Sequence, residues 1–138
     1  MWRRMALLLI LPVAALAVST ANAQADTGVN AELCSAPAVV GTFALRACIE
    51  RLPDGALQAY AYVSLQAGHS PCTVRIRYVD GATDPLSPPV SCPSGAITHW
   101  RVDHVLRFLC CGTVRTAASI QRDDGSIGVK AVSPPLSV

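Results

Sequence analysis

The sequence lacks several features that would assign it to a particular class of protein. Its longest apolar run, 6–18, has thirteen residues, whereas a membrane-spanning helix needs about 20. It contains no Asn-x-Ser/Thr sequon and no glycine-rich phosphate loop. These absences remove the membrane span, N-glycosylation and the common nucleotide-binding motifs from consideration.

The first twenty-three residues have the pattern of a cleavable signal peptide. Arg3 and Arg4 form a basic start, the apolar run follows, and Ala23 ends a small-x-small cleavage site. Cleavage after Ala25 fits the same pattern. We therefore expect a secreted, extracellular protein that has lost residues 1–23 and has no membrane span after cleavage.

The remaining chain has no net charge. The full sequence has eleven basic and nine acidic residues, and Arg3 and Arg4 account for the excess. A neutral chain with dispersed charges has no electrostatic footprint for nucleic acid or for an anionic membrane. We therefore expect no nucleic-acid partner.

Apolar residues recur with a period of two, which is typical of half-buried strands. Asp-Gly pairs at 54, 80 and 124 indicate turns between such runs. In 96–105 neither face is cleanly apolar, which predicts a bend or a bulge, and 106–122 is the longest run. The residues predicted to face inward are Phe43, Leu45, Ala47, Ile49, Leu57, Ala59, Ala61, Val63, Leu65, Cys72, Val74, Ile76, Tyr78, Gly112, Val114, Thr116, Ala118 and Ile120.

About seven short strands with turns between them predict an all-β fold. The expected architecture is a small immunoglobulin-like antiparallel β-sandwich over residues 43–138, and a small closed barrel is the alternative. Residues 24–42 are predicted to form an irregular N-terminal arm that closes with a short edge strand at Val39-Val40. Pro134-Pro135 is predicted to end the ordered chain.

Six cysteines in an exported chain predict three disulfides. Cys110 and Cys111 are adjacent, and a bond between neighbours is strained. The two local bridges among the other four cysteines could then not both form, because Cys110 would be forced onto Cys111. Two cysteines, Cys72 and Cys110, share the phase of the apolar residues. The predicted pairing is Cys72–Cys110, Cys92–Cys111 and Cys34–Cys48.

No pattern for catalysis or metal binding stands out. There is no Cys-x-x-Cys and no Gly-x-Ser-x-Gly. His99 and His104 are an odd number of residues apart on a predicted strand, so they should face opposite sides. The acidic turn at 123–125 lacks the further acids of a calcium loop. We therefore expect no enzyme activity, no catalytic residue, no metal and no cofactor.

Two features could form a binding surface. Tyr60 and Tyr62 share a strand face, and Trp100 is the only tryptophan after the signal. Such aromatic groups can bind a sugar ring or a protein, although the more ordinary interpretation is that the tyrosines shield the outer face of the sheet and Trp100 fills the core. The loop 80–95, which contains Pro88 and Pro89, is the second feature. Its prolines restrict the backbone, but it could simply connect two strands.

Four runs resemble a broad group of small exported proteins from high-GC bacteria that have no assigned function. The runs are Phe43-ALRACIE, Ala59-YAYV, Cys111-GTVRTAASI-Gln121 and Ser133-Pro134-Pro135. The resemblance implies a secreted sandwich with disulfides and carries over no catalytic residue. The predicted function is a non-catalytic binding or surface-interaction module for an extracellular protein or glycan. The alternatives are a protease inhibitor that presents the loop 80–95, and a hydrolase.

Overall fold

The computed structural model describes residues 32–80, 85–106 and 112–137. Within these ranges the chain is all β, with ten strands in two antiparallel sheets. The described ranges contain no helix that could serve as a membrane span. The strands are β1 (Glu32–Cys34), β2 (Ala38–Val40), β3 (Phe43–Arg51), β4 (Leu57–Leu65), β5 (Cys72–Val79), β6 (Val90–Ser91), β7 (Ile97–Leu106), β8 (Thr113–Arg122), β9 (Ile127–Val132) and β10 (Leu136–Ser137).

Sheet I consists of β1, β2, β3, β4 and β7. β3 and β4 form a hairpin whose register runs unbroken from the pair Phe43–Leu65 to the pair Arg51–Leu57. β7 pairs with the other side of β4. β1 and β2 follow one another along the remaining edge of β3.

Sheet II consists of β5, β6, β8, β9 and β10. β8 is central, with β5 along one side and with β9 and β10 following one another along the other. β6 lies on the outer edge of β5. No strand pairing joins sheet I to sheet II within the described ranges. The chain therefore forms two sheets packed on a shared core, as in a β-sandwich, and the barrel alternative is wrong.

The core lies between the facing sides of the sheets, and the predicted alternation is confirmed on β3, β4, β5 and β8. All but one of the residues predicted to face inward are buried. The exception is Gly112, which precedes β8 and is exposed. The predicted single run 106–122 is also wrong, because β7 ends at Leu106 and β8 begins at Thr113; residues 107–111 lie outside the described ranges.

Two of the Asp-Gly pairs form the predicted hairpin turns. The Asp54 carboxylate accepts the Ala56 N–H at 2.9 Å, and the Asp124 carboxylate accepts the Ser126 N–H at 2.8 Å. The bonds from Ser126 hold the pKa of Asp124 below its ordinary value. In both turns the glycine adopts a positive φ, 83° and 81°, which costs glycine little. The third pair, at 80–81, lies partly outside the described ranges.

The irregularity predicted for β7 is confirmed at His99. The pairing of β7 with β4 shifts between Val63 and Leu65, and His99 has a φ of 52°. Ser64 stabilises this bulge, because its hydroxyl accepts the His99 N–H at 3.1 Å. A non-glycine residue in this region carries backbone strain.

Both ends of the described chain are more ordered than the sequence predicted. The described part of the arm 24–42 is not irregular, since β1 and β2 pair with β3, and the edge strand at Val39-Val40 is confirmed as part of β2. At the other end Pro134-Pro135 does not end the order. The chain continues into β10, where Leu136 is buried and Arg51 donates to the Ser137 carbonyl.

The disulfide pairing is Cys34–Cys48 and Cys72–Cys92. The first bridge was predicted. The predicted Cys72–Cys110 and Cys92–Cys111 bridges are wrong, because both local bridges form together. β6 pairs with the start of β5, which brings the Cα atoms of Cys72 and Cys92 to 5.3 Å, within ordinary disulfide range. Cys110 and Cys111 lie outside the described residues.

Candidate functional site

The predicted tyrosine surface is only partly available, because Tyr60 is covered. Tyr60 lies on the outer face of sheet I, yet none of its surface is exposed. The Arg101 guanidinium carbon lies 3.8 Å from the centre of its ring, which is a cation–π contact. Burial, and then the neighbouring Glu32 carboxylate, raise the pKa of Tyr60. Tyr60 therefore stabilises the fold and is not exposed for contact with a ligand.

Carboxylates on both sides hold Arg101 over this ring. Its Nη2 atom bonds Glu50 at 2.6 Å and its Nε atom bonds Asp103 at 2.7 Å. Gln58 also donates to Asp103, at 2.9 Å. Burial alone would lower the pKa of Arg101, but these carboxylates raise it. Arg101 is therefore held in place by two carboxylates and is not free to bind an anionic ligand.

Tyr62 remains half-exposed beside the strained bulge. Its ring meets the His99 ring edge-on with centroids 6.2 Å apart. A small depression of about 80 Å³ lies here, between Tyr62, His99, Arg46 and Pro37. Arg46 donates its Nε hydrogen to a backbone carbonyl of the arm, so its position is fixed. The depression has room for a single small group.

Trp100 does not join the tyrosines, which corrects the predicted grouping. It pairs with Val63 across the sheet and lies on the inner side, half-buried against the core. This position agrees with the alternative prediction that Trp100 packs into the core. Strand alternation explains the separation, since Trp100 and Arg101 are neighbours and point to opposite faces.

The described part of the loop 80–95 is tied to the edge of β5. Ser87 donates its N–H to the Ile76 carbonyl at 2.7 Å and accepts the Ile76 N–H on its hydroxyl at 2.9 Å. The Cys72–Cys92 bridge fixes the far end. Pro88 and Pro89 are exposed between these anchors. The segment 85–92 is therefore hydrogen-bonded to β5 along one side. This position fits a connection between two strands better than a loop that projects from the fold.

A second depression lies on the outer face of sheet II. It has a volume of about 220 Å³, and we call it the sheet II groove. Its floor is β8, where Ala117 and Ser119 are small. The residues that line it are Arg75, Arg77, Leu86, Ala117, Ala118, Ser119, Gln121, Ile127, Lys130, Ala131 and Val132.

The sheet II groove carries three cations and no carboxylate. Arg75 and Arg77 stand on β5, and Lys130 stands on β9. None of the three forms an ion pair among the described residues. The Nε atom of Arg75 is buried and has no hydrogen-bond partner there. The groove can therefore accept an anionic group without breaking an ion pair of the described residues.

The sequence did not reveal this site, because the net charge of a chain does not show which charged residues the fold brings together. Residues 24–138 have no net charge, and their charged residues are dispersed along the sequence. The fold places Arg75, Ser119 and Lys130 in one row across three strands. The available clue was the phase of β5, where Arg75 and Arg77 both alternate with inward residues. Nothing in the sequence showed that β5 would pair with β8, which places its arginines across β8 from Lys130.

The histidines show no catalytic arrangement. His69 contacts the backbone carbonyls of Ser70 and Gly95 at 2.9 and 3.0 Å. The Nε2 atom of His104 is buried without a hydrogen-bond partner. Across the described ranges no histidine ring bonds to a serine, cysteine or carboxylate side chain. The nucleophile–base pair that acyl transfer needs is not formed by these residues.

One group of potential metal ligands lies on β1 and β3. The Glu32 carboxylate and the sulfurs of Cys34 and Cys48 lie within 4.8 Å of one another. The two sulfurs are bonded to each other, whereas metal ligation needs the thiolate. This group therefore does not make a metal site.

No protein-family model, no curated protein and no solved structure matches this chain.

Proposed function

We propose that this protein is a secreted, non-catalytic binding module whose ligand occupies the sheet II groove. The observation that carries the proposal is the groove itself, because it combines a depression of about 220 Å³ with three cations that form no ion pair among the described residues. Specific binding sites are concave and mostly apolar, with a few well-placed polar groups.

The signal-like opening and the two disulfides support export. Disulfides persist in oxidising compartments and are typical of extracellular proteins. The first 23 residues have the composition of a signal peptide. The predicted cleavage after Ala23 or Ala25 lies outside the described residues and remains part of this proposal.

The strand order supports an immunoglobulin-like sandwich. Strands β3 to β9 can be labelled in chain order A, B, C, C′, E, F and G. Sheet I then has the central order A-B-E, and sheet II has the order C′-C-F-G. This division of strands between the sheets is typical of immunoglobulin-like domains. In such domains a rigid sandwich supports varied binding surfaces, so the fold alone names no ligand.

Blocking the groove tests the proposed function. Immobilised mature protein is incubated with extracellular medium, and the wild type is compared with Ala117→Trp, which fills the groove floor. Ala44→Trp, the same substitution on the outer face of sheet I, is the matched control. Capture of a ligand by wild type and control but not by Ala117→Trp is expected. Equal capture by all three, or no capture by the wild type, would contradict the proposal.

Turnover assays test the non-catalytic part of the proposal. Screens of esters, glycosides and peptides with the mature protein are expected to give no turnover above the uncatalysed rate. Stoichiometric inhibition of a subtilisin-like or trypsin-like protease would instead favour the inhibitor alternative. In that case the inhibition should be lost when Pro88 and Pro89 are replaced by glycine.

A further inference from the structure

We infer that the sheet II groove binds an extended acidic peptide segment in which carboxylate side chains alternate with aliphatic ones. The inference rests on the proposed function and names the class of ligand. It follows from the charge, the spacing and the walls of the groove.

The charge of the groove selects an anionic ligand. Arg75, Arg77 and Lys130 line it, and no acidic residue does. An arginine can form two parallel hydrogen bonds with one carboxylate, and neither Arg75 nor Arg77 forms an ion pair among the described residues. A carboxylate in the groove would supply an acceptor for the guanidinium groups of the half-buried Arg75 and the exposed Arg77.

The spacing of the cations matches that of a strand. Arg75 and Arg77 are two residues apart on β5, so their Cα atoms are separated by roughly 7 Å. Alternate side chains of an extended peptide have the same repeat. Lys130 lies two strands away from Arg75 through Ser119, at roughly 10 Å. The distance leaves the width of one peptide chain above the small residues of β8.

The walls of the groove are aliphatic. Leu86, Ile127 and Val132 are exposed by 42%, 42% and 50% of their surface, and all three line the groove. Exposed apolar residues that cluster at one site mark a binding surface. No aromatic residue lines it, so the ring-stacking surface that favours sugars is missing. Aliphatic side chains of a peptide would cover these walls.

Small polar groups complete the site. Ser119 and Gln121 lie on the floor and can donate to or accept from a peptide backbone. Ala117 presents only a methyl group, which lets a backbone approach closely. An acidic polysaccharide would satisfy the cations but would leave the aliphatic walls exposed to water. We therefore commit to the peptide.

Labelled synthetic peptides test the inference by fluorescence anisotropy with the mature protein. The main probe alternates glutamate and valine. A second probe replaces each glutamate by lysine, a third replaces each valine by serine, and a fourth is an oligouronate. Binding of the first probe only, weakened by added salt, is expected. Equal binding of the lysine probe, tighter binding of the oligouronate, or no binding of the main probe would overturn the inference.

Variants that remove charged side chains test whether the peptide binds in the sheet II groove. The double variant Arg75→Gln with Lys130→Gln should weaken the main probe at least about tenfold. The matched control is Arg115→Gln, an exposed arginine of the same sheet face that does not line the groove; it should change the affinity less than about twofold. A similar loss in both would show general electrostatic attraction and would overturn the inference.

The two proposals can fail separately. If the peptide does not bind but Ala117→Trp still abolishes capture from the medium, the groove binds another class of ligand and only the inference is wrong. If Ala117→Trp changes neither capture nor peptide binding, the groove is not the binding site and both proposals are wrong. Circular dichroism and thermal melting confirm that each variant is folded.

Discussion

The hydroxyl oxygen of Tyr78 accepts the backbone N–H of Ala59 at 2.8 Å, across the interior of the sandwich. Tyr78 stands on β5 of sheet II, and Ala59 stands on β4 of sheet I. The same hydroxyl lies 2.9 Å from the carbonyl oxygen of Leu57 and 3.1 Å from that of His104. A buried phenol thus ties one sheet to the backbone of the other.

Tyr78→Phe should lower the free energy of unfolding by about 1–3 kcal/mol. The variant keeps the ring but leaves the buried Ala59 N–H without this acceptor. Urea unfolding of the wild type and the variant measures the difference. Tyr62→Phe is the control, because Tyr62 is half-exposed and its hydroxyl has no hydrogen bond in the described structure. Equal, small effects of both substitutions would contradict a stabilising role for the Tyr78 hydroxyl.

Gly128→Ala should destabilise the sandwich through a steric conflict. A Cβ atom at position 128 would lie 3.0 Å from two ring carbons of Phe43 and 3.3 Å from the Ile120 carbonyl. Overpacking of a core costs typically 1–3 kcal/mol. The second variant, Gly128→Ala with Phe43→Leu, removes the ring. In a double-mutant cycle the double variant should therefore lose less stability than the sum of the losses of Gly128→Ala and Phe43→Leu, and additive losses would contradict the proposed conflict.

Peptide mapping without reduction should find Cys34 joined to Cys48 and Cys72 joined to Cys92. A peptide that joins Cys72 to Cys110 would contradict the structure. Since these four cysteines are paired with one another, Cys110 has no partner within the chain except Cys111.

Replacing Cys72 and Cys92 by alanine should lower the free energy of unfolding by about 3 kcal/mol. The bridge closes a loop with a sequence separation of 20 and restricts the unfolded chain. Urea unfolding under non-reducing conditions measures this loss. A double variant as stable as the wild type would show that the bridge does not contribute.

His104 should make the protein less stable at acidic pH. Burial lowers the pKa of His104, and its Nε2 atom has no hydrogen-bond partner in the described structure. Well above the ordinary histidine pKa of about 6.5 the ring is neutral in both states, so the stability is complete. As the pH falls below this value, the unfolded state binds the proton first, and stability is lost until the folded state is protonated at its lower pKa.

Urea midpoints measured from pH 7.5 to pH 5 test this dependence. The wild type should lose stability over this range, and His104→Gln should show a flatter profile. His69→Gln retains His104 and serves as the control, so its profile should follow the wild type. A decline of the same size in His104→Gln would assign the acid sensitivity to another group.

Much of the local structure could be predicted because a strand has a period of two. The alternation of apolar residues placed Leu45, Val63 and Ile76 in the core, and the structure buries all three. The turns at Asp54 and Asp124 were predictable for a local reason, since each carboxylate bonds a backbone N–H two residues ahead. The bulge in β7 was predictable from its mixed faces.

The sequence by itself determined the strands, their inward faces and their turns, because these depend on neighbours in the chain. Only the tertiary structure decided which strands lie side by side. That choice paired Cys72 with Cys92, covered Tyr60 with Arg101, and separated Trp100 from the tyrosines. It also placed Lys130 across β8 from the arginines of β5. Such contacts depend on register between distant segments, which is set by how the two sheets bury their apolar faces together.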